Sequence, residues 1–141
     1  MGRQLPPPLG LRLWPQPYAV ARLRSVPALL PQLTSGGAPA ALIVGHGEVS
    51  LLAPEESVHE LAALVETTSE GWRALTLEAV FPLGTVGVLA AASRALAEVG
   101  VPMMTFSSHD TDHFLVPGQL LGRALSALGQ ARLERFLVAA G

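Results

Sequence analysis

The sequence has no cysteine, no lysine and no asparagine. Without cysteine there is no disulfide, no thiolate nucleophile and no thiolate-held zinc. Charge is sparse: charged residues make up 14% of the chain and the formal net charge is −2. Nucleic-acid binders carry a basic excess gathered on one face. Here the only local excess is Arg12, Arg22 and Arg24, in a stretch whose first acid is Glu48, so no nucleic-acid partner is expected. Long apolar runs are missing too. A run such as Gly87 to Ala92 is far too short to cross a bilayer. Pro6, Pro7, Pro8, Pro15 and Pro17 break the pattern of a secretory leader. These absences suggest a soluble cytoplasmic protein with no membrane partner. Also absent are Gly-x-Ser-x-Gly, a P-loop, Gly-x-Gly-x-x-Gly and His-Glu-x-x-His, so neither an enzyme nor a cofactor is indicated.

What is present is apolar bulk and one polar cluster. Half of the 141 residues are hydrophobic, enough to bury a core in one ordinary domain or two small ones. Both aspartates fall in His109-Asp110-Thr111-Asp112-His113. Short carboxylates favour turns over helices, and apolar strands flank this stretch, so it is expected to form a positioned hairpin.

Residues 1–17 are expected as an extended, proline-rich lead-in that Trp14 could pin down. Tyr18 to Leu23 reads as a strand, Val26 to Leu33 as irregular turns, and 40–44 with 49–53 as a hairpin. A helix opens at Pro54-Glu55-Glu56, with Val58, Leu61, Ala62 and Val65 as its apolar stripe. Thr67 to Gly71 is taken as a polar joint. The second half begins with a strand from Trp72 to Val80, with Leu75, Leu77 and Ala79 on one face and Thr76, Glu78 and Val80 on an open face suited to a dimer contact. A helix follows from Thr85 to about Glu98 and buries Leu89, Ala92, Leu96 and Val99. Gly100 stops it. The hairpin strands are 103–108 and 112–116, a helix spans 118–130 with Leu121, Ala124, Leu125 and Leu128 inward, and 135–140 adds a last strand. The same split β-α-β unit is written twice, the first copy worn.

Three runs carry a resemblance: Gly71 to Glu78, Thr85 to Ala90, and Ser107 to Val116. Together they resemble the ACT domain, and more narrowly the small tandem-ACT proteins related to the aspartate kinase regulatory part and to the CASTOR-type arginine sensors. The resemblance implies an α+β fold of ferredoxin-like (ACT-like) βαββαβ units in tandem, antiparallel sheets with helices on one face. It places a degenerate unit at 18–68 and an ACT domain at 69–141. It also implies a non-catalytic regulatory module, a homodimer, with an amino acid as ligand.

The physics of such a site is general. A helix N-terminus near residues 84–88 offers free N–H groups and a positive dipole end to a carboxylate. Gly84, Thr85, Val86 and Gly87 are the candidates there. Asp110 or Asp112 can take the ligand's ammonium group in a charge-assisted bond. The structural alternatives are that the acids only close the turn, that Thr85 only caps the helix and that Gly87 only permits packing. Two other functions compete: an interaction module with no ligand, and a metal-binding protein using the His109–His113 hairpin. A triad of Ser107 or Ser108 with His109 and Asp110 is set aside, because sequence neighbours rarely converge into triad geometry.

Overall fold

A computed structural model describes residues 10–28, 33, 36–78 and 86–133. The elements in chain order are β1 (Leu11–Leu23), β2 (Ala41–Gly45), β3 (Glu48–Pro54), α1 (Glu55–Glu60), β4 (Val65–Leu77), α2 (Val88–Glu98), β5 (Met104–Ser107), β6 (Asp112–Pro117) and α3 (Leu121–Ala131). Short 3-10 turns precede β4 and α3. This is a mixed α/β fold with antiparallel strand pairs. By contacts it divides into two compact units, one of residues 1–14 with 73–141 and one of residues 15–72. Strands β1 and β4, of 13 residues each, contribute to both.

In the 15–72 unit the strand order is β2-β3-β1-β4. The β2–β3 hairpin pairs Ala41 with Leu52 through to Gly45 with Glu48, and β3 pairs with β1 from Tyr18–Pro54 to Leu23–Val49. Strand alternation then gathers Ala19, Ala21, Leu23, Leu51 and Ala53 on one face, closed by Val58 of α1 and Leu33. Tyr18 is fully buried; its hydroxyl donates to the Pro39 carbonyl at 2.6 Å, and burial pushes its pKa up. α1 is only six residues long. The Gly71 amide donates to Glu55 at 2.8 Å and His59 meets Glu70 at 2.7 Å, both ties from α1 to β4.

In the other unit the order is β1-β4-β6-β5. α2 and α3 bury Val88, Ala92, Leu96, Leu121, Ala124, Leu125 and Leu128 in one core with Leu75, Leu77, Phe114 and Val116. The end of α2 is built by Gly100 at φ +72°. The Gly100 amide donates to Ala97 and the Val101 amide to Leu96, a reciprocal cap that needs the left-handed residue at this position. Val101 is buried beneath it.

Five expectations change. The helix opening at Pro54 ends at Glu60, so of its expected stripe only Val58 lies in it and is buried, while Leu61 and Ala62 follow it, Ala62 exposed, and Val65 begins β4. Residues 11–17, expected as lead-in, are the first half of β1. The β3 ladder begins only at Tyr18, so Pro15 and Pro17 remove no donor from it. The polar joint at 67–71 is the middle of β4: β-branched Thr67 and Thr68 favour a strand, and α1 anchors Glu70 and Gly71. The buried face of α2 starts at Val88, while Leu89 and Val99 are each 36% exposed. The helix starts three residues later than expected, and Val99 is its terminal cap rather than part of its face. Thr76, placed on an open face, is buried. By contrast the inward face of α3 is the expected one, with Leu121, Ala124, Leu125 and Leu128 buried. The expected strand end at Ala79–Val80, the turn at 81–84 and the last strand at 135–140 lie outside the described residues.

Candidate functional site

The expected site has two parts. The first is the start of α2. Gly84 and Thr85 lie outside the described residues. Val86 is 83% exposed. Gly87 is the N-cap at φ +96°, a conformation that L side chains resist and glycine accepts. Among the described residues no side chain caps the helix. Its first internal bond runs from the Ala91 amide to the Gly87 carbonyl, at 2.9 Å. The amides ahead of Ala91 therefore have no partner within the helix, and they sit at its positive end.

The second part is the hairpin. β5 and β6 pair from Met104–Leu115 to Ser107–Asp112, and residues 108–111 make the turn. The Thr111 carbonyl accepts from the Ser108 amide at 2.9 Å, and the Thr111 hydroxyl donates to the Leu77 carbonyl at 2.7 Å. This second bond ties the turn to the end of β4. Asp110 is exposed and pairs with His109 at 2.8 Å. Asp112 is half-buried and accepts from the Ser107 hydroxyl through Oδ1. Each acid thus makes a local bond and keeps one carboxylate oxygen free of protein partners among the described residues. No hydrogen bond or ion pair among the described residues joins Val86 or Gly87 to the hairpin.

Alternation sends the neighbours of the acids the other way. His113 is buried, opposite Phe106 in the ladder with ring centroids 4.9 Å apart. Its Nδ1 lies 2.8 Å from the Thr76 hydroxyl and its Nε2 lies 3.0 Å from the Ser108 hydroxyl. Thr76 in turn accepts from the Trp14 indole N–H at 2.8 Å. Arg12 stacks 3.9 Å over the Trp14 ring and reaches Glu78 at 3.8 Å. Burial pushes the His113 pKa below its ordinary value, and the charge of Asp112 partly opposes that shift.

This chain, with Trp14, Thr76 and His113 buried and Ser108 exposed at its end, was not visible in the sequence as a unit. The period-2 pattern of β4 gives the face of Thr76 but not what covers that face. Both nitrogens of His113 are engaged by hydroxyls, so the ring offers no free lone pair to a metal ion in this arrangement. Among the described residues no three His, Asp or Glu side chains gather as a metal site. Two open grooves, of about 540 and 590 Å3, lie in the 15–72 unit. None of the expected site residues lines either.

With this geometry in hand, comparison with known proteins is informative. Residues 67–130 match the family model of the ACT domain. That segment holds most of β4, α2, the hairpin and nearly all of α3. No curated protein matches by sequence. Among solved structures, a protein from Agrobacterium tumefaciens is 22% identical, with a TM-score of 0.72 over 89% of this chain and 90% of that one. A Vibrio cholerae protein is 21% identical, with a TM-score of 0.70 over 87% and 88%. The ligand-free regulatory subunit of aspartate kinase from Thermus thermophilus is 17% identical, with a TM-score of 0.60 over 90% of this chain and 99% of that one. At such identities the likeness establishes a shared ACT-like fold.

Proposed function

We propose that the chain is a non-catalytic regulatory module of the ACT type that binds an amino acid. The observation that carries this reading is the ACT-domain match over residues 67–130, which contains both a helix start with no side-chain cap among the described residues and the only aspartates of the chain. The ligand carboxylate would sit at the start of α2, on backbone amides near Gly84, Thr85, Val86 and Gly87. The ligand ammonium would meet Asp112 or Asp110. The exposed left-handed Gly87 favours a close approach to backbone. The oxygens of the two aspartates that lack a protein partner supply the anionic side.

In the same reading the chain is a tandem of ACT-like units, akin to the aspartate kinase regulatory part or the CASTOR-type sensors, with a degenerate unit at 18–68 and an ACT domain at 69–141. The sharing of β1 and β4 between two compact units supports that. It would act in the cytoplasm as a homodimer. No helix among the described residues is long and apolar enough to cross a membrane. A ligand regulates only if it binds one arrangement of units or chains better than another.

Thermal melting with each of the twenty amino acids tests the proposal. A ligand at a hundred times its Kd stabilises the fold by about 2.7 kcal/mol. One amino acid should raise the midpoint, and Asp112→Ala should abolish the rise. If no amino acid shifts the midpoint, the interaction module without ligand replaces this reading.

A further inference from the structure

The directions of the hydrogen bonds around His113 are set from their buried end, at Trp14 and Thr76. An indole N–H can only donate, so Trp14 donates to Thr76. The Thr76 oxygen already accepts from Trp14, and among its hydrogen-bond partners Nδ1 of His113 is the one group that can accept the buried Thr76 proton. The hydrogen of the neutral ring therefore belongs on Nε2, which donates to the exposed Ser108 hydroxyl at 3.0 Å, while the Ser108 proton is left for the Thr111 carbonyl at 3.2 Å. A neutral ring with Nε2–H has a bare Nδ1, which accepts the hydroxyl proton of Thr76. Every proton is used once, and one neutral tautomer satisfies the whole chain.

An added proton breaks this arrangement at one place. Nδ1–H would then face the Thr76 oxygen, and the Thr76 proton would lose its acceptor in a site where Trp14, Thr76 and His113 are all buried. The far end of the chain is the hairpin turn, through Ser108 and Thr111. We infer that His113 is a proton-operated latch: the neutral ring holds the 108–111 turn to Thr76 of β4 and through it to Trp14 of β1, and protonation releases that hold.

The charged groups around the ring are few. On its own hairpin they are Asp112, Asp110 and His109; on β1, Arg12; on and after β4, Arg73 and Glu78. β5 presents no charge, only Phe106 against the ring. The helices pack on the other face of β6, against Phe114 and Val116. Arg12 is engaged with Glu78 and the Trp14 ring, Asp110 with His109, and Asp112 with Ser107. None of these contacts supplies Nδ1 with an anionic partner that would hold the imidazolium in place. The latch does not depend on the ligand reading above.

Nitrogen-15 and indole-proton NMR of the full chain tests it. At pH 8 the ring should show the Nε2–H tautomer. On acidification the His113 ring signals and the Trp14 indole N–H signal should move together, with one shared midpoint. His113→Gln should remove the indole transition, and Thr76→Ser should keep it. Thr76→Val should let His113 titrate while the Trp14 signal stays still. An Nδ1–H tautomer at pH 8 overturns the inference, as does an indole signal in the natural sequence that does not follow His113. Both of those readings come from the unmodified protein, so the test survives a variant that fails to fold.

Discussion

Among the described residues each of the two units has one buried titratable ring with hydrogen-bond partners, and the two centres differ in kind. In the 15–72 unit it is a single bond from the Tyr18 hydroxyl to the Pro39 carbonyl. Burial raises the phenol pKa, so that centre is inert throughout the physiological range. In the unit of residues 1–14 and 73–141 it is a chain of side chains with an imidazole at its middle. The apolar settings differ as well. Among the described residues one cluster of 14 buried residues includes Phe114, Leu96 and Leu128; the other has seven, three of them alanine. The unit of residues 1–14 and 73–141 holds the buried imidazole, and response to pH should be concentrated there.

The largest test of that contrast is core truncation. Phe114→Ala should destabilise by about 3–5 kcal/mol, and Ala53→Gly in the smaller cluster by far less, since only one methyl is removed there. Denaturant unfolding measures both. Equal losses would erase the contrast.

Next comes Thr76→Val against Tyr18→Phe. Each removes one hydroxyl from a buried centre. Thr76→Val orphans the indole N–H of Trp14 and the Nδ1 of His113, so a loss of about 2–3 kcal/mol is expected, against about 1–2 kcal/mol for the Pro39 carbonyl left by Tyr18→Phe. The same unfolding curves report both, and a larger loss from Tyr18→Phe would reverse the ranking.

The pH dependence follows by linkage. The folded pKa of His113 lies below the ordinary histidine value of 6.5, so between the two values the unfolded chain binds more protons than the folded one. The contribution of neutral His113 is present above about pH 6.5. It is lost as pH falls through that value towards the lower folded pKa. Melting midpoints from pH 8 to 5 should show this decline, and His113→Gln should flatten it. Smallest of all is the exposed Arg94–Glu98 pair one helical turn apart. Arg94→Ala should cost about 0.3–0.5 kcal/mol at most, less than any change at the buried centres.

Much of the ACT-like half was legible from periodicity. Leu121, Ala124, Leu125 and Leu128 share a helical face at any reasonable helix start, and Gly100 followed by Val101 and Pro102 marks a helix end through local chemistry alone. The hairpin was legible because apolar strands bracket a turn-forming core. Strand β1 was harder to read. Prolines argue against a strand unless the neighbouring ladder is known to end first, and that depends on where β3 stops. The His113 chain was hidden for a related reason. Trp14, Thr76 and His113 are far apart in sequence, and each alone has an ordinary role. Only the strand order β1-β4-β6 places them side by side. The sequence reading also drew attention to the acids, which face outward, rather than to the residues between and beside them, which hold the turn in place.

The most direct test of the ligand reading is amide hydrogen exchange of the whole chain with and without the twenty amino acids at millimolar concentration. The account expects slowed exchange in two segments together, the start of α2 at 86–91 and the turn at 108–113. Protection in only one of them, or in neither while another surface is protected, would contradict a site shared by the helix start and the acids of the hairpin.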